Sequence, residues 1–451
     1  MSATFAASRQ ARQRAPKREI FGWAMFDFAN QAYTLLIITV VFGDLFTRVI
    51  VGNDGADYRL GNFLWSLALS ISYLMVVVVS PIAGAVMDYT ASKKRFLFAS
   101  YLLTVVATAA LYFVAPGYAL LGVLLLIVSN FAYSLGEAFI ASFLPGLGPP
   151  EDLGKISGLG WALGYVGGMA SAVFVLLVLG EVSAENFERI RWVGPWAAVF
   201  FLVTAIPTFV WVKERGTPRP LPAGKGYAAV GVARVLETLR SLERQPDLAT
   251  LLVSTFFAMS GIYIIITYAF IYGAQVIGWD EHIRTLMFII VQITAAVGAL
   301  GFGMIQDRIG ARRTYRITLV MWMAAIALIY LTPQLAELSS ALSGRTIQAQ
   351  HLFLAVGCVA GLSLGSCQSA TRTLVGLFSP LSRSAEYFGF WGLSMKLSGV
   401  VGLLGIGLLQ AAFGLHRAVL FCILLFAAAY VISRRIDEAR GRHFADSHGG
   451  A

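Results

Sequence analysis

Apolar runs long enough to cross a bilayer recur twelve times along this sequence, and few architectures accommodate that. Runs such as 64–86, 96–114, 119–143 and 250–276 exceed the roughly 20 residues that a hydrocarbon core about 30 Å thick demands of a helix. Charged or turn-rich breaks divide the chain into segments near 20–50, 62–87, 95–115, 118–144, 156–180, 191–212, 247–277, 283–306, 314–333, 350–376, 384–411 and 415–433. Backbone groups in lipid must be satisfied internally, which leaves helices or closed barrels. Barrel strands would be half as long and would alternate in polarity, so the expectation is an all-α polytopic membrane protein. An apolar share of 58% against 13% charged residues agrees, being beyond that of soluble domains.

A net charge of +10 would suggest nucleic acid in a soluble chain, but its placement argues otherwise. With the N-terminus inside, 26 of the 34 Lys and Arg fall in inner loops and tails and 7 in outer loops, with Lys396 inside a helix. This is the positive-inside bias. It predicts both termini in the cytoplasm; the accompanying expectations are a bacterial-type inner membrane protein, a monomer, and contact with lipid rather than nucleic acid. Residues 1–20, Arg-rich and nearly free of acid, also fit an organelle transit peptide but lack the apolar region of a secretory signal; the positive-inside rule favours a cytoplasmic tail.

The one long polar break, 213–246, divides the chain into a tail (1–19), a six-helix bundle (20–212), a linker, a second bundle (247–433) and a final tail (434–451). Within the linker, Val232, Val235, Leu236, Leu239 and Leu242 recur at helical spacing among Arg234, Arg240 and Arg244, a pattern suited to a helix on the inner membrane surface. The halves carry a repeat. Gly84-Ala-Val-Met-Asp88 runs on to Lys93, Lys94 and Arg95, and Gly303-Met-Ile-Gln-Asp307 to Arg308, Arg312 and Arg313. Glycine permits close helix approach, and an acid beside cations can form bonds that break when a gate opens. Asp88, Arg95, Asp307, Arg308 and Arg313 are the expected gating residues. Like-oriented halves match the parallel repeats of secondary transporters, with the substrate site between them near the midplane.

These paired loops resemble the signature of the major facilitator superfamily, which implies two pseudo-symmetric six-helix bundles. Further stretches resemble one branch, the autophagy-related vacuolar effluxer-like family and its bacterial relatives. They are Trp23-Ala-Met-Phe-Asp27-Phe-Ala-Asn30-Gln-Ala-Tyr33, Gly160-Trp-Ala-Leu-Gly-Tyr165, Gln368-Ser-Ala-Thr-Arg372, and Ala385-Glu386-Tyr-Phe-Gly389-Phe-Trp391 running on to Lys396. The resemblance implies export of small solutes, amino acids in the fungal case. The chain departs from it at Tyr89-Thr-Ala-Ser, where an Arg-containing turn is expected. It also has Phe139-Ile140 in place of Tyr-Asn and Ser260-Gly261 in place of Asp-Gly, two changes expected to remove polarity near the cavity.

Ionisable groups inside membrane helices are costly and mark functional sites. Asp27, Asn30 and Tyr33 share one helix face. Glu137 and Glu386 lie toward the cytoplasmic side, near Arg372. Asp27 or Glu137 could pair with Arg372 across the halves and release on protonation, while Glu386 and Arg372 could also form a permanent structural pair. Lys396, about 18 Å into its helix at about 1.5 Å per residue, is the candidate for an anionic substrate group. Trp161, Tyr165, Tyr263, Gln368 and Trp391 are the other cavity candidates. Gly160, Gly164 and Gly168, and again Gly357, Gly361 and Gly365, form ridges suited to close packing.

The Cys and His residues show no ligand spacing, so no metal or other cofactor is expected. Gly361-Leu-Ser363-Leu-Gly365 lies in a membrane helix, not at the strand-to-helix elbow a hydrolase needs, and no enzyme is expected. No ATP-binding Gly-x-x-x-x-Gly-Lys motif occurs. The expectation is a proton-coupled secondary transporter of a small solute working by alternating access, with a lipid or amphiphile translocator as the alternative.

Overall fold

The computed structural model describes residues 13–52, 58–220, 224, 226–241 and 245–448; the expectations for the tail before residue 13 and for Leu242 and Arg244 lie outside them. Among the described residues, twelve helices have the length and apolarity to span a membrane: α1 (Lys17–Ile50), α2 (Arg59–Thr90), α3 (Lys93–Phe113), α4 (Ala119–Gly146), α5 (Leu153–Leu179), α6 (Phe187–Trp211), α7 (Pro246–Ile277), α8 (His282–Ile309), α9 (Ala311–Ser343), α10 (Ala349–Phe378), α11 (Leu381–Phe413) and α12 (Leu415–Ser433). No strand occurs among the described residues. A linker helix (Tyr227–Ser241) joins the two sets of six, and a C-terminal helix (Glu438–Ser447) follows α12.

The local sequence explains the helix ends. The turn after α8 uses Gly310 at φ 95°, a conformation glycine adopts without a Cβ penalty. Its counterpart after α2 is Ala91 at φ 48°, a left-handed position that L-residues rarely occupy. The first half of α1 is α-helical to Ala32, and from Tyr33 to Val40 it widens into π-helical turns, a deviation frequent at functional sites.

The halves meet closely on the face that carries the linker, here the linker face. α2 packs on α11, and α5 on α8. Bare backbone makes this possible. A Cβ at Gly84 would come within 2.2 Å of the Ala385 carbonyl oxygen, one at Gly158 within 2.4 Å of that of Ala299, and one at Gly389 within 2.6 Å of that of Ser80. The expected ridges pack in the same way. Gly160 lies against Asp27, Arg372 and Trp23, Gly164 against Gln31, and Gly365 against the backbone of Ala295.

Below the second half, the C-terminal helix is fastened to α7. Arg440 reaches Asp247 at 2.6 and 2.8 Å, and the Asp247 carboxylate also accepts from the Asp437 amide at 2.7 Å. Asp437 in turn caps the helix by accepting from the amides of Ala439 and Arg440.

Candidate functional site: two ion pairs and two helix-end clasps between the halves

Two ion pairs cross between the halves inside the bundle. Arg372 of α10 donates to Asp27 Oδ2 of α1 at 2.7 Å, and Lys396 of α11 donates to Glu137 Oε2 of α4 at 2.8 Å. Of the two acids expected to meet Arg372, Asp27 does so. Each of these charges would be costly in lipid alone, and pairing is what allows it to remain there.

The guanidinium of Arg372 is fixed on every side. It donates through Nε to Ser157 Oγ at 3.1 Å and through Nη2 to the Ser157 carbonyl at 2.7 Å. It also lies over the rings of Trp23 and Trp161, at 4.7 and 5.2 Å, where cation–π attraction adds to the ion pair. The Trp23 indole is anchored by donating to the Ile140 carbonyl of α4 at 2.7 Å. Next to this group, Tyr165 of α5 donates to Gln368 of α10, a further contact between the halves.

Lys396 is not the open anion site expected of it, since Glu137 occupies its ammonium. Tyr73 and Tyr133 stand 5.4 and 5.8 Å away with their rings toward it. The Lys396 side chain is 7% exposed and that of Glu137 24%, so the pair is open on the carboxylate side. A layer of hydroxyls continues from it: Tyr33 stacks on Tyr133 at 4.7 Å and hydrogen-bonds Ser129, Thr34 donates to the Tyr133 hydroxyl, and Asn130 donates to Ser72. Tyr263 lies over Gly399, one turn from Lys396. Asn30 and Trp391 are buried. The Trp161 and Trp391 indole nitrogens and the Ser134 hydroxyl, all buried, have no hydrogen-bond partner among the described residues.

On the linker face, both repeat acids act as clasps. Asp88, at the end of α2, accepts from the Glu386 amide at the start of α11 at 2.8 Å. Asp307, at the end of α8, accepts from the Gly154 and Lys155 amides at the start of α5, at 2.9 and 3.0 Å. Each acid thus takes up free N–H groups of a helix from the opposite half, where the helix dipole favours negative charge. The cations beside them are Lys93, 3.2 Å from Asp88, and Lys155, 3.7 Å from Asp307. Arg95, Arg308 and Arg313, the cations expected there, are exposed, because the turn of each helix carries them to the outer side.

Glu386 and Arg372 do not pair with each other, because α10 directs Arg372 inward to α1 whereas Glu386 faces the linker helix. Glu386 is fully buried and accepts from Arg383 at 3.0 and 3.1 Å and from Thr238 of the linker helix, with Arg234 at 3.6 Å. The substitutions expected to make the cavity less polar lie instead in helix packing. Phe139 meets Phe96 edge-on at 6.2 Å, and Gly261 sits beneath the Phe426 ring.

Sequence reasoning missed Ser157, Tyr73, Tyr133 and Lys155, and gave Trp23 and Lys93, both inside the motifs quoted above, no role of their own. Tyr73 and Tyr133 carried a usable signal as hydroxyls in the middle of apolar spans. Ser157 and Lys155 meet their partners partly through backbone groups, which leave no residue signature, whereas Trp23 and Lys93 act through side chains, the ring over Arg372 and the ammonium beside Asp88.

Residues 62–446 match the family described as vacuole effluxer Atg22 like. The MFS-type transporter YxiO of Bacillus subtilis (strain 168) is 23% identical over 424 residues, covering 92% of this chain and 94% of that one. Autophagy-related protein 22-1 of Penicillium rubens is 21% identical, covering 86% and 77%. Among solved structures, the proton:xylose symporter XylE superposes with a TM-score of 0.70 at 14% identity, covering 95% of this chain and 98% of that one, a likeness of fold.

Proposed function

Because this chain belongs to the vacuole effluxer Atg22-like family, a branch of the major facilitator superfamily, and is an MFS-type transporter by that membership, we propose that it is a proton-coupled secondary carrier exporting a small zwitterionic solute, an amino acid or related metabolite, by alternating access. The observation that carries this reading is the pair of buried ion pairs joining the halves, Asp27–Arg372 and Glu137–Lys396. Each joins groups on helices that must separate for the linker face to open. Protonating a carboxylate removes the attraction, and a substrate bearing both charges can replace each partner with its own. The unpartnered donors at Trp161 and Ser134 support a polar cargo over a lipid one.

In this reading the linker face is cytoplasmic, as the distribution of Lys and Arg favours, and the closed linker face corresponds to the outward-directed state of a plasma-membrane carrier. Asp27 and Glu137 are the proton-accepting candidates. Arg372 and Lys396 meet the anionic group of the cargo, and the tyrosines and Gln368 line its path.

The test is exchange in proteoliposomes loaded with mixed amino acids, with and without an imposed pH gradient, comparing the native chain with Asp27→Asn. Exchange that follows the gradient and loses that dependence in the variant supports the reading. Absence of amino-acid exchange by folded protein contradicts the cargo class, and flux that tracks hydrophobicity would favour an amphiphile instead.

A further inference from the structure

The linker helix has two dissimilar sides. Its inward side is committed to the α2–α11 junction: Gly231 packs against Ile82 and Val86 of α2, Thr238 donates to Glu386, Arg234 approaches the same carboxylate, and Tyr387 of α11 donates to Gln245 just beyond the helix. The opposite side carries Val232, Leu236 and Leu239, which are 42%, 46% and 46% exposed. At 100° per residue these three fall within a narrow stripe, with exposed Arg240 at its margin.

The depth of this stripe indicates what covers it. Ile82 and Val86 lie one to two turns inside the end of α2 at Thr90, about 6–12 Å along the axis at about 1.5 Å per residue. A helix seated against them lies at the boundary between headgroups and acyl chains, the depth at which amphipathic interfacial helices bury their apolar face. Charge is complementary too. The segment 213–246 carries seven basic residues against three acidic ones, and basic segments beside a membrane are drawn to anionic headgroups.

We infer that the linker helix is a lipid-held latch: its Val232–Leu236–Leu239 stripe and Arg240 bind an anionic leaflet, and this binding holds Thr238 and Arg234 on Glu386, keeping the α2–α11 clasp closed. The leaflet's charge then sets how readily the linker face opens. The inference needs the closed contact but not the identity of the cargo, so it can fail or stand independently of the proposed transport chemistry.

The experiment is hydrogen–deuterium exchange on the full chain in nanodiscs of neutral phosphatidylcholine, or of phosphatidylcholine mixed with anionic phosphatidylglycerol. Amides of the linker helix and of the first turns of α11 should exchange about fivefold more slowly with the anionic lipid, the equivalent of about one basic contact. Arg240→Gln, and separately Leu236→Ser with Leu239→Ser, should remove that difference while the exchange of α5 and α8 stays unchanged. Equal exchange in both lipids overturns the inference. A difference confined to the linker helix that never reaches α11 overturns the latch. Protection that rises with protein concentration rather than with lipid charge overturns it in favour of a second copy on the stripe.

Discussion

Arg372 donates to Asp27 at 2.7 Å across 345 positions of sequence, joining the second half of the chain to the first within the membrane-spanning core. Removing one partner of a buried pair leaves an uncompensated charge and costs about 3–5 kcal/mol. Asp27→Asn or Arg372→Gln alone should therefore lower the thermal stability of the purified protein markedly. The double variant should lose less than the sum of the two. Thermal unfolding of all four forms checks this coupling, and strict additivity would show that the two residues do not interact.

The glycines of the linker face give a second prediction. Because a Cβ at Gly84 or Gly158 would meet a carbonyl oxygen of the opposite half at 2.2 or 2.4 Å, Gly84→Ala and Gly158→Ala should hold that face open. Cysteines placed beside α11 or α5 should then react with a water-soluble maleimide several times faster. Gly407→Ala, with nothing within 4 Å, should leave labelling unchanged.

The two clasps should act in parallel. Asp88→Asn and Asp307→Asn each weaken charge-assisted bonds to helix N-terminal amides, contacts worth on the order of 1 kcal/mol. Each should raise linker-face labelling about fivefold, and together they should raise it by more than either alone. An effect of one without the other would show that the two junctions carry unequal weight in closure.

Much of this was legible from the residues alone. The twelve spans follow from hydropathy because lipid forces the backbone to satisfy itself, and the repeated Gly-x-x-x-Asp located both clasps. Asp27 and Arg372 stood out as charges where apolar residues belong. What could not be read was direction. Whether Arg372 turns to Asp27 or to Glu386 depends on how α10 is rotated against α1, and whether Lys396 is free depends on α4 from the other half. Asp88 and Asp307 bind backbone amides, so the search for their partners among the arginines led to Arg95, Arg308 and Arg313 on the outer side.

A pH effect is expected below the second half. The Arg440 amide, and with it the Ala439 amide, holds the exposed Asp437 carboxyl below its ordinary value, helped by the charges of Arg440 and Arg312. A depressed folded-state value stabilises the cap above the unfolded value of about 3.9 and is lost as pH falls through the lower, folded value. Hydrogen exchange of residues 438–447 should accelerate relative to α9 on going from about pH 6 to about pH 3. Asp437→Asn should remove this residue's share of the change.

The most direct test of the account is whether the two faces move reciprocally. Spin labels at Arg95 and Arg308 report the linker face, and labels at Tyr118 and Leu342, both exposed, report the opposite one, each pair spanning the two halves in a background without Cys358, Cys367 and Cys422. On acidification with cargo present, the account predicts that the distance between the linker-face labels lengthens as the other shortens, and that Asp27→Asn shifts the balance without acidification. Distances that stay fixed, or that lengthen together, would contradict alternating access through these contacts.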